Sequence, residues 1–208
     1  MTKIVIIDYG VGNFRNVQKA FQAIGAAAEI TDSVETARQA DAVVLPGVGA
    51  FGDAIDNLRA RQLDQPVLEA AQAGKPLFGI CVGLQLLFDE SEEMGRHLGL
   101  GLLPGKIVRF PAGLTVPHMG WNQIEPVRDH PLLDHLTPGD FAYFAHSYYA
   151  APADSAHVLA YTDYGQKFAS VVAKDNVCAI QFHPEKSQQV GLQLLKNFVE
   201  FAQARSSS

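Results

Sequence analysis

The sequence predicts an α/β fold, with a mostly parallel central sheet, flanking helices and an antiparallel addition in the C-terminal half. Three observations lead there. Short apolar runs alternate with segments of helical period through the first half, the order expected of βαβ units. From residue 106 onward, strand-like runs follow one another closely and are separated by Gly, Pro and Asp. Between the two halves, the apolar run 77–80 leads into a cysteine flanked by glycines and then into helical spacing.

Taken in order, residues 3–8 (KIVIID) form a first strand, and Phe14, Val17, Phe21 and Ile24 mark one face of a helix that Gly25 ends. Residues 28–31 give a weaker second strand, Ala37 lies in a short helix, and residues 42–45 give a third strand. The run 77–80 follows Gly74 and Pro76 without polar interruption, which suits a strand buried on both faces. Leu84, Leu87 and Phe88 then fall at helical spacing, so the chain turns from strand to helix at Cys81. Ligands of such sheets collect at the carboxyl ends of the strands, which here carry Asp8-Tyr9-Gly10, the PGVG loop at 46–49 and Cys81. Strand-like runs at 106–110, 141–145, 158–162, 168–173 and 177–182 make up the second half. A helix from about 190 to 204 closes it, with Leu194, Leu195, Phe198, Val199 and Phe201 as its apolar positions. Residues 1–204 are expected to be one domain and 205–208 a flexible tail.

Composition narrows the function. A hydrophobic fraction of 48% with 18% charged residues is that of a globular chain, and a net charge of −6 without a basic cluster argues against nucleic acid or an anionic membrane as partner. No apolar run approaches membrane-spanning length and the N-terminus has no signal-peptide pattern, so a soluble, cytoplasmic protein is expected. Two cysteines make no disulfide framework, and no His/Cys cluster has zinc spacing; neither a metal nor a cofactor is expected.

Cys81 reads as a nucleophile. Gly79-x-Cys81-x-Gly83 is the cysteine form of the nucleophile elbow, in which a strained turn lifts the reactive atom above the sheet edge. The start of a helix there favours the thiolate and offers free backbone N–H groups. A buried core cysteine is the competing reading, and would win for an isolated Cys; the flanking glycines and the strand-to-helix switch outweigh it. In QFHPEKS (181–187), an extended backbone would point His183 and Glu185 the same way. Glu185 would then fix the imidazole while His183 takes and returns a proton. An ordinary strand-end histidine is the bland alternative, set aside because the segment leaves an apolar strand at the same kind of sheet edge.

Residues 47–52 (GVGAFG) match the dinucleotide pattern G-x-G-x-x-G, yet they follow the third strand and lack an acidic residue at the right strand end. Their better use is an oxyanion hole: a backbone N–H from Val48 or Gly49 on one side of Cys81, and that of Val82 on the other. The acidic run 89–93 is expected at the end of the nucleophile helix, mostly as a solvated face, with one carboxylate left to meet a substrate ammonium. Cys178 is expected in the core.

Together GICVGLQLLF (79–88), the PGVG loop and QFHPEKS resemble the class I (triad) glutamine amidotransferases, over nearly the whole chain. IDYGVGN (7–13), PHMGWN (117–122) and YFAHSYY (143–149) are similar, more narrowly, to the family of glutaminase subunits of imidazole glycerol phosphate synthases. The resemblance implies a flavodoxin-like sheet and a Cys81-His183-Glu185 triad that hydrolyses glutamine through a glutamyl thioester. It implies that Gly49, Gln85, Glu93, Ser147 and Tyr148 bind glutamine. It also implies that Asn13, Pro117, His118, Trp121 and Lys186 face a separate cyclase subunit, which uses the ammonia to make imidazole glycerol phosphate and an aminoimidazole nucleotide in histidine biosynthesis.

Three other readings compete. Another triad glutaminase, serving anthranilate, nucleotide or pyridoxal phosphate synthesis, would differ in its partner. A cysteine α/β-hydrolase acting on esters would place its acid before the histidine, whereas Glu185 follows His183. A non-catalytic subunit that keeps the fold would not need all three triad residues.

Overall fold

The computed structural model describes residues 2–206. In chain order the first half contains β1 (Ile4–Ile7), α1 (Phe14–Ala23), β2 (Ala28–Thr31), α2 (Val34–Arg38), β3 (Ala42–Gly47), α3 (Phe51–Ala60), α4 (Asp64–Gln72), β4 (Leu77–Cys81) and α5 (Val82–Leu86). Strands follow almost without interruption: β5 (Phe88–Ser91), β6 (His97–Leu98), β7 (Leu103–Arg109), β8 (His118–Pro126), β9 (Asp140–His146), β10 (Tyr148–Pro152), β11 (Val158–Asp163), β12 (Lys167–Lys174) and β13 (Val177–Ile180). A turn of 3-10 helix at Pro184–Lys186 precedes the last helix, α6 (Gln188–Ser206).

The sheet is mixed, as the sequence predicts. At one end β2, β1, β3, β4 and β13 lie side by side and all parallel. From β13 the sheet continues antiparallel through β12, β10 and β7; β5 then joins β7 in parallel and β6 joins β5 antiparallel, while β11, β8 and β9 branch from β12. Every residue of β1, β3, β4 and β13 is buried, because helices cover both faces of the parallel part. The last helix supplies Leu194, Leu195, Phe198 and Ala202 to this core, with the Phe198 ring stacked on Phe78 of β4 at 4.7 Å. One contiguous hydrophobic cluster runs through the chain. None of the helices is long and apolar enough to cross a membrane among the described residues.

Two expectations are corrected. The helix after Cys81 ends at Leu86, and Phe88 starts a strand. The carbonyls of Leu87, Phe88 and Asp89 accept from Leu102, Leu103, Gly101 and Gly99 instead of continuing a helical ladder, and Phe88 turns into the core at 1% exposure. Helical spacing alone could not see that the neighbouring chain captures these acceptors. The acidic run therefore lies on and after β5, where Asp89 accepts from the Gly105 N–H, Glu90 pairs with Arg96 and Glu92 with Lys106. At the C-terminus α6 continues through residues 205 and 206 of the expected tail, with the Arg205 guanidinium over the Phe201 ring; residues 207–208 lie outside the described residues.

Candidate active site

Cys81 owes its surroundings to strand order. The neighbours of β4 are β3 and β13, in register Gly47↔Cys81 and Ile180↔Ile80. The segments that leave those two strands, PGVG on one side and QFHPEK on the other, must therefore flank the cysteine. Cys81 itself has φ 56 and ψ −112, a left-handed backbone that a non-glycine residue rarely adopts, as the elbow pattern predicts. The turn is possible because its glycines carry no side chain. A Cβ on Gly83 would stand 1.7 Å from the Leu45 carbonyl oxygen, and one on Gly79 would meet Leu87 and the backbone of α5.

A cavity of about 180 Å³ opens over the sulfur, and among its walls are Val48, Gly49, Cys81, Val82, Gln85 and Glu93. Its other side is formed by Ser147, Tyr148, His183 and Lys186. The sequence-predicted oxyanion and substrate residues thus meet at one place. The segment around 145–148 reaches it because the 183–187 turn is tied to β9: the His183 N–H donates to the Tyr143 carbonyl, and the Tyr143 N–H to Ser187 Oγ. Glu93 is held at the rim, where its carboxylate accepts the free N–H of Phe51 at the start of α3. With α5 only five residues long, what it offers the sulfur is the unpaired N–H of its first residue, Val82, more than a macrodipole.

His183 and Glu185 meet, but not along a strand as expected. β13 ends at Ile180, His183 is extended, and Glu185 sits in the 3-10 turn that Pro184 opens. That turn brings Oε1 of Glu185 to 3.0 Å from Nδ1 of His183, with both side chains buried. Burial alone would lower the His183 imidazole, yet the neighbouring Cys81 sulfur, together with the hydrogen bond and charge of Glu185, raises it to about 10. Burial likewise works against the Glu185 carboxylate, and its hydrogen bond and charge pairing with His183 outweigh this and hold it below the ordinary range. Each partner thus favours the charged form of the other, and with Nδ1 of His183 committed to Glu185, Nε2 is the ring nitrogen left for the cavity that Cys81 shares.

The residues expected to face a partner divide. Trp121 is 46% exposed and stands beside Met119 and Phe141 on the outer face of the β8–β9 hairpin, near Lys186, whose ammonium lies over the Tyr143 ring. Pro117 is exposed as well. His118 is not: alternation along β8 turns it inward, where it stacks on Phe144 and Tyr164 and bonds His146. Asn13 has a second occupation, since its side-chain amide donates to Glu185 Oε1 at 2.9 Å. Cys178 is core as expected, and burial pushes its thiol up to about 12.

Two buried residues at the site were not singled out. Gln181 Nε2 lies 3.8 Å from the Cys81 sulfur; its position at the mouth of β13 was visible, its orientation was not. Tyr9, two residues beyond β1, fills the space a side chain on Gly47 would need, and its phenol is kept neutral by burial first and by the neighbouring Cys81. Among the described residues no group of three His, Cys, Asp or Glu side chains is placed to hold a metal ion.

Comparison with known proteins agrees with this geometry. The profile of the glutamine amidotransferase class-I family matches residues 5–201. A relative from Syntrophotalea carbinolica, named imidazole glycerol phosphate synthase subunit HisH, is 54% identical over 202 residues, covering 94% of this chain and 98% of its own. A protein of the same name from Aquifex aeolicus is 49% identical over 197 residues, covering 94% and 95%. Among solved structures, one described as a glutamine amidotransferase superposes with a TM-score of 0.76 at 22% identity, covering 96% of this chain and 98% of its own. PurLQS from Thermotoga maritima gives 0.75 at 20%, covering 97% and 99%, so both share the fold. The chain belongs to the class I glutamine amidotransferase family, and within it to the group of HisH subunits.

Proposed function

We infer that this chain is the glutaminase subunit of an imidazole glycerol phosphate synthase, releasing ammonia from glutamine for a separate cyclase. The observation that carries the chemistry is the buried His183–Glu185 pair, with His183 lining the same cavity as a cysteine on a strained elbow. The partner is supported by the names of the relatives and by the exposed apolar face of the β8–β9 hairpin next to the cavity. Such a face, with Trp121 and a lysine beside it, suits a docking surface.

In the first step the Cys81 thiolate attacks the side-chain amide carbon of glutamine. The carbonyl oxygen takes the negative charge and is received by the N–H of Val82 and by the 48–49 backbone. The imidazolium of His183 gives its proton to the departing nitrogen; the C–N bond breaks, ammonia leaves, and a glutamyl thioester remains. His183, now neutral, takes a proton from water, whose oxygen attacks the thioester; a second oxyanion collapses, and glutamate and the Cys81 thiolate are restored. Glu185 holds the tautomer and the charge of His183 throughout. Gly49, Gln85, Glu93, Ser147 and Tyr148 hold glutamine, and the Glu93 carboxylate suits its ammonium. Residues 1–204 are read as a single domain, working in the cytoplasm without a cofactor.

Glutamate release from glutamine, measured with the chain alone and with an imidazole glycerol phosphate synthase cyclase and its nucleotide ligand, tests the reading. Stimulation by the cyclase, absent in Cys81→Ala, is expected. Cys81-dependent hydrolysis that the cyclase leaves unchanged would point to the glutaminase of a different synthase.

A further inference from the structure

A chain of buried polar groups ends on the Cys81 sulfur, and its hydrogen bonds permit one orientation at each link. The Tyr148 carbonyl can only accept, so the group Gln85 turns towards it at 3.0 Å is its NH2. The second N–H of that amide then meets Gln181 Oε1 at 3.2 Å. With its oxygen so committed, Gln181 presents its own NH2 to Cys81 Sγ at 3.8 Å. The Tyr148 carbonyl is fixed from the other side too. It accepts Nδ1–H of His146 at 2.8 Å, and Nε2 of His146 in turn accepts Nδ1–H of His118 at 3.2 Å, both rings being buried. Gln85, His118, His146 and Gln181 come from four separate segments of the chain, and all four are less than one-tenth exposed.

A buried amide N–H already aimed at the sulfur fixes the direction of its lone pairs and needs no reorganisation when the sulfur reacts. We propose that Gln181 belongs to the catalytic machinery, its amide N–H holding the Cys81 thiolate in line for attack, with Gln85 as the positioning residue that fixes the direction of that amide. The proposal rests on Cys81 being the nucleophile. Charged and titratable groups around the sulfur are His183 with its partner Glu185, Tyr9 just beyond β1, and Glu93 and Lys186, which line the same cavity. Among the described residues the hydrogen bond that the sulfur receives comes from none of these, but from the uncharged Gln181 amide.

The test compares Gln181→Met, which keeps length and burial but removes the donor, with the wild-type protein in complex with its cyclase. Loss of one hydrogen bond to a charged group predicts a kcat lowered at least about tenfold with KM little changed, and a similar fall in the rate at which iodoacetamide alkylates Cys81 at neutral pH. Gln181→Glu, which leaves an acceptor for Gln85 but sets a carboxyl against the sulfur, should be slower still. A folded Gln181→Met protein with wild-type kcat and alkylation rate would overturn the proposal. The wild-type protein gives an independent reading by NMR. Gln181 side-chain amide protons that donate to the thiolate move on alkylation of Cys81, whereas unmoved resonances contradict the contact. Absence of glutamate release by the wild-type complex would instead count against the glutaminase reading, so the two failures are distinguishable.

Discussion

The Asn13 side chain donates to the same oxygen of Glu185 that meets His183, at 2.9 Å against 3.0 Å for the imidazole. A residue from the entry to α1 thus fixes the carboxylate of the proposed triad, whose other members lie on β4 and after β13. Its loss leaves a buried carboxylate with fewer partners. Asn13→Ala is expected to lower kcat about tenfold. Asn13→Asp should be worse, because a second carboxylate against Glu185 raises both and weakens the hold on the imidazolium. Steady-state kinetics of the two variants, with the His183 ring titrated by NMR, check this; equal activity of both with wild type would remove Asn13 from the site.

The backbone strain at Cys81 can be measured directly. A residue forced into such a region costs about 1–3 kcal/mol, whereas glycine adopts it freely at some entropic cost of its own. Cys81→Gly should therefore be about 1 kcal/mol more stable than Cys81→Ala in urea unfolding, both being inactive. Equal stabilities would mean that the elbow is unstrained.

Gly83 has no such latitude. A methyl group there would overlap the Leu45 carbonyl at 1.7 Å, and that carbonyl belongs to the middle of the buried β3. Gly83→Ala must push α5 away from β3 and should cost more than about 3 kcal/mol, or prevent folding altogether. Denaturant midpoints decide; a variant as stable as wild type would show that α5 has room.

Stability should peak near neutral pH for opposite reasons on its two limbs. Burial lowers His118 to about 4 and His146 to about 3, so below their ordinary 6.5 the unfolded chain binds protons that the folded one refuses. Each contributes a loss of about 1.4 kcal/mol per pH unit as pH falls through that window. His183 is raised from 6.5 to about 10, so its contribution is full below 6.5 and is lost as pH climbs to about 10. Glu185, lowered, adds to the loss only in more acid solution. Urea unfolding across this range should give a dome, and His146→Gln should flatten its acid limb while leaving the alkaline one. An unaltered acid limb would contradict the neutral, buried state of that ring.

The parallel half of the fold was legible because its inner strands are buried on both faces and so read as unbroken apolar runs, β1 and β4 above all, whereas the edge strand β2, with Glu29 exposed, gave the weaker signal. Cys81, His183 and Glu185 were legible because glycine and proline fix the turns beside them. What escaped depends on chain segments distant in sequence. Phe88 has helical spacing but is claimed by pairing with β7, and β8 and β10 carry aromatic and polar residues whose alternation shows only once their partners are known. His118 sits in a motif whose neighbour Trp121 is exposed, and only the strand register turns it inward against His146. The direction of the Gln181 amide is set by Gln85 and Tyr148 from other parts of the chain, which spacing cannot report.

The central claim is that the Cys81 sulfur takes the acyl group of glutamine. Acid quenching of the cyclase complex during turnover of isotope-labelled glutamine, followed by peptide mass analysis, tests it most directly. The account predicts a glutamyl adduct on the peptide that contains Cys81, none on the peptide with the buried Cys178, and loss of the adduct in Cys81→Ala. Glutamate formed at the wild-type rate by Cys81→Ala, with no labelled Cys81 peptide in the wild-type complex, would contradict it.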